Sequence, residues 1–169
     1  HYTANLRLRH DDAYTPGGKA GFRPDRAVTV YSQILKRLYP HVPVVIGGIE
    51  ASLRRLTHYD YWSDALKPSI LAESGADLLI YGMGERVVQQ VARAMRNGYN
   101  AKLLRKIRQV AFLSDESYVS RLDPATTIRL NSYEECVRDK AAFGKNFTVI
   151  ETQSNLMNPE ATLVEAVGG

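Results

Sequence analysis

Two short apolar runs, Val42–Gly48 and Asp77–Gly84, each close on glycines, and this repetition constrains the fold more than any other feature of the chain. Pro43–Ile46 is too short and too β-branched for a helix, and its stop at Gly47-Gly48 is that of a strand buried on both faces. Ala76–Tyr81 repeats the pattern ahead of Gly82 and Gly84. Helical spacing intervenes, at about thirty residues per unit, which is the βαβ rhythm of a parallel sheet with right-handed crossovers. The expected class is α/β: a Rossmann-like parallel sheet with flanking helices, its glycine-ended strand tips forming one ligand-facing rim.

The helices are marked by periodicity and by their ends. Ala27, Val30, Tyr31, Ile34, Leu35 and Leu38 recur at helical spacing, Pro24 suits a first helical position, and Pro40 stops the run. Tyr59–Ser74 is expected to be mostly helical, with Asp60 as N-cap and Pro68 breaking it in two. Arg86–Asn97 sets Val87, Val88, Val91, Ala94 and Met95 on one face, with Gly98 where a left-handed cap belongs. The pattern then predicts a short helix around Ala101–Ile107, strands at Gln109–Leu113 and around Thr126–Leu130, and a helix over Ser132–Phe143. Ser132 and Glu135 stand there in capping-box register. A strand at Phe147–Glu151 and a last helix opened by Asn158-Pro159 and running through Val167 complete the expectation. Three segments result: an irregular loop over 1–23, the α/β domain over 24–151, and a lead-in over 152–169 to a catalytic domain outside this chain.

Composition narrows the function classes. With 169 residues there is room for one domain with a real core. The net charge of +4 comes from 22 Lys+Arg against 18 Asp+Glu spread along the chain, so no basic stripe marks nucleic acid as the expected partner. The densest segment, with Arg105, Lys106 and Arg108, reads as a solvated helix end. A single cysteine, Cys136, excludes an internal disulfide and fits a reducing, cytoplasmic compartment. No run approaches the ~18 apolar residues of a membrane span, and no signal peptide is recognisable. The start at His1 without an initiator methionine, and the end at Gly168-Gly169, suggest a fragment of something longer.

Candidate functional residues cluster around the glycines. Gly47 and Gly48 would let backbone amides approach a ligand, with Glu50, Arg54 and Arg55 following, the arginines suited to pairing with an anion. The alternative is that the two glycines only turn the chain, since neither a Gly-x-Gly-x-x-Gly spacing nor a lysine P-loop accompanies them. At Tyr81-Gly82-Met83-Gly84-Glu85, Glu85 would accept from a ribose or other hydroxyl, or would simply cap a helix. His58, Asp60 and Trp62 belong to a seven-residue segment dense in aromatic rings and carboxylates, suited to stacking on a flat substrate or, preferably, to packing against another domain. His10-Asp11-Asp12 lacks the further ligands of a metal site and reads as a polar loop. Cys136 shares an apolar stripe with Tyr133 and Val137, where a thiol acts as a small hydrophobe. No set of catalytic residues accompanies the rim, and no Gly-x-Ser-x-Gly elbow occurs.

Five stretches together carry a family resemblance: Leu8–Pro16, Arg23–Ala27, Val45–Arg55, His58–Asp64 and Ala76–Arg86. They read Leu-Arg-His-Asp-Asp-Ala-Tyr-Thr-Pro, Arg-Pro-Asp-Arg-Ala, Val-Ile-Gly-Gly-Ile-Glu-Ala-Ser-Leu-Arg-Arg, His-Tyr-Asp-Tyr-Trp-Ser-Asp and Ala-Asp-Leu-Leu-Ile-Tyr-Gly-Met-Gly-Glu-Arg. The chain resembles the N-terminal domain of the YgiQ-like radical SAM proteins, closely over Leu8–Arg86, loosely from Asn97 to Phe147, and closely again around Ile150–Gly168.

The resemblance implies a cobalamin-binding-like Rossmann domain, missing the family's first strands, ahead of a catalytic barrel that holds a four-iron four-sulfur (4Fe-4S) cluster and S-adenosylmethionine. Three closely spaced cysteines hold that cluster in the family, and one Cys136 cannot replace them. The Asp-x-His-x-x-Gly run of cobalt-ligating domains does not occur at His1, His10, His41 or His58. The expected function is therefore that of a non-catalytic N-terminal domain of a radical SAM iron–sulfur enzyme that positions substrate or docks on the catalytic barrel, with no metal or cofactor of its own. Its partners would be its own C-terminal radical SAM domain and an unidentified substrate. The rival expectations are a stand-alone nucleotide or cofactor binder and, less favoured, a domain that recognises an RNA substrate.

Overall fold

The computed structural model describes residues 7, 10–98, 100, 102–157 and 159–168. Its centre is a three-stranded sheet whose middle strand is the Leu78–Ile80 segment. Helix α1 (Ala27–Leu38) leads to β1 (Val45–Ile46) and α2 (Gly48–Leu53), and a hairpin of β2 (His58–Asp60) and β3 (Ala65–Lys67) comes next. Then come α3 (Ile70–Ser74), β4 (Leu78–Ile80) and α4 (Glu85–Arg96), and β5 (Val110–Ala111) closes the sheet. β1 and β4 run parallel, with Val45 opposite Leu78 and Ile46 opposite Leu79; β5 runs antiparallel to β4. The class is α/β, as the two apolar runs require, with a mixed sheet in place of an all-parallel one.

β4 is buried on both faces, and its pleat sorts the core into two layers. Leu79 packs with Ile46, Ala51, Ile70 and Leu71 on one side, while Leu78 and Ile80 pack with Val87, Val91 and Leu104 on the other. α4 therefore covers one face with the stripe read from its period, although Val88 stays exposed, and Gly98 closes it at φ +84°. On the opposite face α1 packs against α3. α1 begins at Ala27, three residues after Pro24, since the chain turns through Asp25 and Arg26 first.

A second unit is built from α5 (Glu116–Val119), β6 (Thr127–Arg129), α6 (Tyr133–Arg138), α7 (Lys140–Ser154) and β7 (Thr162–Val164), with β6 and β7 parallel. The capping box forms: Ser132 Oγ accepts from the Glu135 amide at 3.2 Å and Glu135 Oε2 accepts from the Ser132 amide at 2.7 Å. Cys136 is fully buried, receives Asn146 Nδ2 at 3.2 Å, and its thiol is pushed up by burial.

Four expectations are corrected. Within Tyr59–Ser74 only Ile70–Ser74 is helical, capped by Ser69 and ended by Gly75 at φ +67°. Asp60 does accept from the amide three residues on, Ser63, but that bond closes the hairpin turn, and Asp64 at φ +50° reverses the chain. Ser132–Phe143 is not one helix: Asp139 is extended and caps α7 through the Ala141 amide at 2.8 Å. Phe147–Glu151 lies inside α7, where Thr148 and Thr152 return their hydroxyls to carbonyls one turn back and buried Asn146 fixes the helix to Asn131. The span ending at Val167 contains β7 rather than a helix; Ala101 and Asn158, expected at the starts of helices, lie outside the described residues, as do Leu8, Arg9 and His1. Within 102–107 the chain forms a short 3-10 turn over Leu103–Lys106.

Candidate functional site

Because β1 and β4 are parallel neighbours, their carboxyl ends emerge side by side, and the two glycine turns meet there. Gly47 is extended, and a Cβ on it would stand 3.2 Å from the Ile80 carbonyl oxygen, so the tips touch through bare backbone. Gly48 opens α2 at φ +85°, where a side chain is strained, and among the described residues no atom from elsewhere in the fold lies within 4 Å of its Cβ position. The Gly82 amide donates to Ser52 Oγ at 3.2 Å, which ties the second turn to α2. Arg55 completes the junction: its guanidinium lies over the Tyr81 ring, 4.9 Å from the centroid. Gly84 closes against Ile80, where a Cβ would stand 3.1 Å from Cγ2. Glu85 begins α4, is exposed, and lies in the favourable field of that helix's amino end.

The other candidates gather a few residues away, around an open depression of ≈ 350 Å³ lined by Leu53, Arg54, His58, Tyr59, Asp60 and neighbouring Tyr61 and Trp62. Asp60 is its electrostatic centre and is 4% exposed. It accepts from Arg26 Nη2 at 2.7 Å and from the Ser63 amide at 3.0 Å and hydroxyl at 2.5 Å, with Arg54 Nη2 at 3.8 Å. Burial works to raise its pKa, yet the two Ser63 donors and the two guanidiniums outweigh it and hold the carboxyl below its usual range. Arg54 also donates to Glu50 at 3.3 Å, and Arg26 lies 3.9 Å from Glu73. Arg54 is thus paired with carboxylates, whereas among the described residues Arg55 forms no ion pair.

His58 donates from Nδ1 to the Leu56 carbonyl at 3.2 Å, which leaves Nε2 as acceptor. Burial, the largest influence, pushes its pKa down, so the ring is neutral at pH 7. Tyr59 donates to Asp64 at 2.6 Å. The exposed Leu53, Tyr59 and Tyr61 make the mouth of the depression apolar, with Trp62 at its edge.

Sequence reasoning did not single out Arg26, Ser52, Leu53, Tyr59 or Tyr61. Tyr59 and Tyr61 stand within the aromatic segment, and strand alternation from His58 to Asp60 would have set Tyr59 apart; Ser52 and Arg26 carry no local signal. Asp12, from the His10-Asp11-Asp12 stretch, is committed to Arg23 at 2.6 and 2.8 Å and to the Tyr14 amide at 3.1 Å. Among the described residues no cluster of three or more His, Cys, Asp or Glu side chains is placed to hold a metal ion, and one buried thiol does not fit a three-thiolate cluster. No helix of the described residues is long and apolar enough to cross a membrane.

The fold is that of an α/β domain whose paired strand tips carry their glycine turns at one edge. The family model described as "Radical SAM N-terminal" matches residues 1–168, and the chain belongs to that family: it is the N-terminal domain of a radical SAM-type protein. It is similar to a UPF0313 protein of Porphyromonas gingivalis, 51% identical over 99% of this chain and 26% of the relative. UPF0313 proteins of Bacteroides thetaiotaomicron, at 50% identity over 91% of this chain and 26% of the relative, and of Geobacter sulfurreducens, at 44% over 92% and 25%, are also similar. The chain therefore spans about a quarter of the length of the curated relatives it matches. No solved structure matches.

Proposed function

We propose that this chain is a non-catalytic N-terminal domain of a radical SAM iron–sulfur enzyme, and that its strand-tip rim docks on the catalytic part and positions substrate there. The observation that carries the reading is the meeting of Gly47, Gly48, Tyr81 and Gly82 at one edge, with Arg55 stacked across it and an aromatic depression beside it. Parallel α/β sheets bind their ligands outside the carboxyl ends of the strands. Exposed Ile49, Leu53, Tyr59, Tyr61 and Met83 surround that edge, a composition that suits an interface core.

A 4Fe-4S cluster and S-adenosylmethionine, which the family description implies for the whole protein, would be held in the remaining three quarters of a protein of the relatives' length. Bond breaking belongs to that pair. The residues of this chain contribute packing, orientation and charge.

The test is made on the full-length protein under anaerobic conditions, with and without this region. Loss of product with S-adenosylmethionine cleavage intact supports substrate placement; loss of both points to a structural role only. As a second readout, Trp62→Ala should raise amide exchange over 48–62 and 81–85 in the full-length protein while leaving α1 unchanged. Equal exchange in the two proteins would count against docking through this face.

A further inference from the structure

We propose that Arg55 anchors an oxyanion site at the strand tips, taking the carboxylate or phosphate group of a small-molecule ligand. This rests on the reading of that edge as the ligand-facing rim and adds the chemical class of the ligand.

Arg55 offers five N–H donors, and among the described residues two are used: Nη1 donates to the Ser52 carbonyl at 2.6 Å and Nη2 to Ser154 Oγ at 3.5 Å. Neither acceptor is charged. Nearby carboxylates are already committed, Asp60 to Arg26 and Arg54, Glu50 to Arg54, and Glu73 to Arg26. Two adjacent arginines therefore differ in kind: among the described residues Arg54 is neutralised by carboxylates and Arg55 is not.

Among the described residues no carboxylate forms an ion pair with half-buried Arg55, and burial works against its charge and lowers its pKa. The guanidinium lies over the Tyr81 ring, and the forked donors of an arginine suit a two-oxygen anion better than a lysine does. The backbone beside it is open, with Gly48 and Gly82 both exposed. A carboxylate or phosphate at this edge would supply the missing charge and the missing acceptors together.

The experiment titrates inorganic phosphate, and separately acetate, into the full-length protein at constant ionic strength kept with chloride, and reads the melting temperature. A bound anion raises it saturably because it binds only the folded state. The wild type should respond in at least one arm. Arg55→Gln should weaken the apparent Kd at least tenfold, Arg55→Lys several-fold, and Arg37→Gln, on the exposed face of α1, not at all. Saturation with phosphate alone assigns a phosphate-bearing ligand, with acetate alone a carboxylate, and with both a general oxyanion; each supports the site.

No saturable response in either arm overturns it, including the case in which a carboxylate from the rest of the protein already occupies Arg55. A response that Arg55→Gln retains also overturns it. If Arg55→Gln does not fold, Arg55→Lys decides: an unchanged Kd for both anions removes the site. Failure here with product still dependent on this region would remove only the anion, whereas anion binding without that dependence would remove only the positioning role.

Discussion

Gly47 meets the carbonyl oxygen of Ile80 closely: an added Cβ would stand 3.2 Å from it, inside ordinary van der Waals contact. The parallel tips therefore meet through backbone, and a methyl group at Gly47 requires the Ile80 carbonyl to give by a few tenths of an ångström. Gly47→Ala is expected to destabilise the protein by ~1–3 kcal/mol, as overpacking does. The comparison of urea midpoints with Gly144→Ala, where nothing lies within 4 Å of the added Cβ, checks this. Equal midpoints would mean that the tips are free to separate.

Asp60 joins α1, α2 and the hairpin through Arg26, Arg54 and Ser63. Replacing it by Asn leaves two guanidiniums facing a neutral group and should cost ~1–3 kcal/mol. Its pKa is depressed in the folded state, so its stabilisation is complete above the ordinary carboxylate pKa and is lost as pH falls through the lower, folded value. Denaturation at several pH values should show the difference between wild type and Asp60→Asn shrinking in that acid window. A difference independent of pH would assign the effect to packing.

Glu165 comes directly after β7, and its Oε2 accepts the Thr57 amide at 2.8 Å, while buried Oε1 has no hydrogen-bond partner among the described residues. Burial raises its pKa above the usual carboxylate range, against the opposing Thr57 amide. The folded state thus keeps the proton longer than the unfolded chain, and stability falls as pH rises from the unfolded pKa through the folded one. Glu165→Gln keeps an acceptor for Thr57 and removes the charge. It should be more stable than wild type at pH 7, with the gain fading toward low pH. A variant less stable than wild type at pH 7 would contradict this account.

Ser132→Ala removes the hydroxyl that caps α6 and frees the Glu135 amide. The expected loss is ~1 kcal/mol. Amide exchange should quicken at Glu135 and Cys136 first and leave α4 unaffected; uniform loosening would show that the cap is not a local device.

Legibility tracked how much of each signal was local. Val87 and Val91 face the core because a 3.6-residue period admits one buried stripe, and Gly98 and Ser132 are cap residues whose chemistry acts within one turn. At the candidate edge, Gly47, Gly48, Tyr81 and Gly82 stood out because both strands announce their ends in the same way. Arg54 and Arg55 were indistinguishable in sequence, since what separates them is the position of Asp60 and Glu50 on one side and Tyr81 on the other.

Local sequence was enough to settle the buried parallel pair, the helices on each side of it and the glycine turns at its tips, because strand burial, helical period and backbone freedom are set by neighbouring residues. Tertiary contacts were needed to decide the hairpin over 58–67, the helical state of Phe147–Glu151, the strand at Thr162–Val164 and the antiparallel β5. In each of these, local preference is weak or points the other way. Distant partners prevail there: Leu66 receives the Tyr133 hydroxyl, Asn131 holds Asn146, Thr126 accepts the Thr162 amide, and Gln109 accepts the Tyr81 amide.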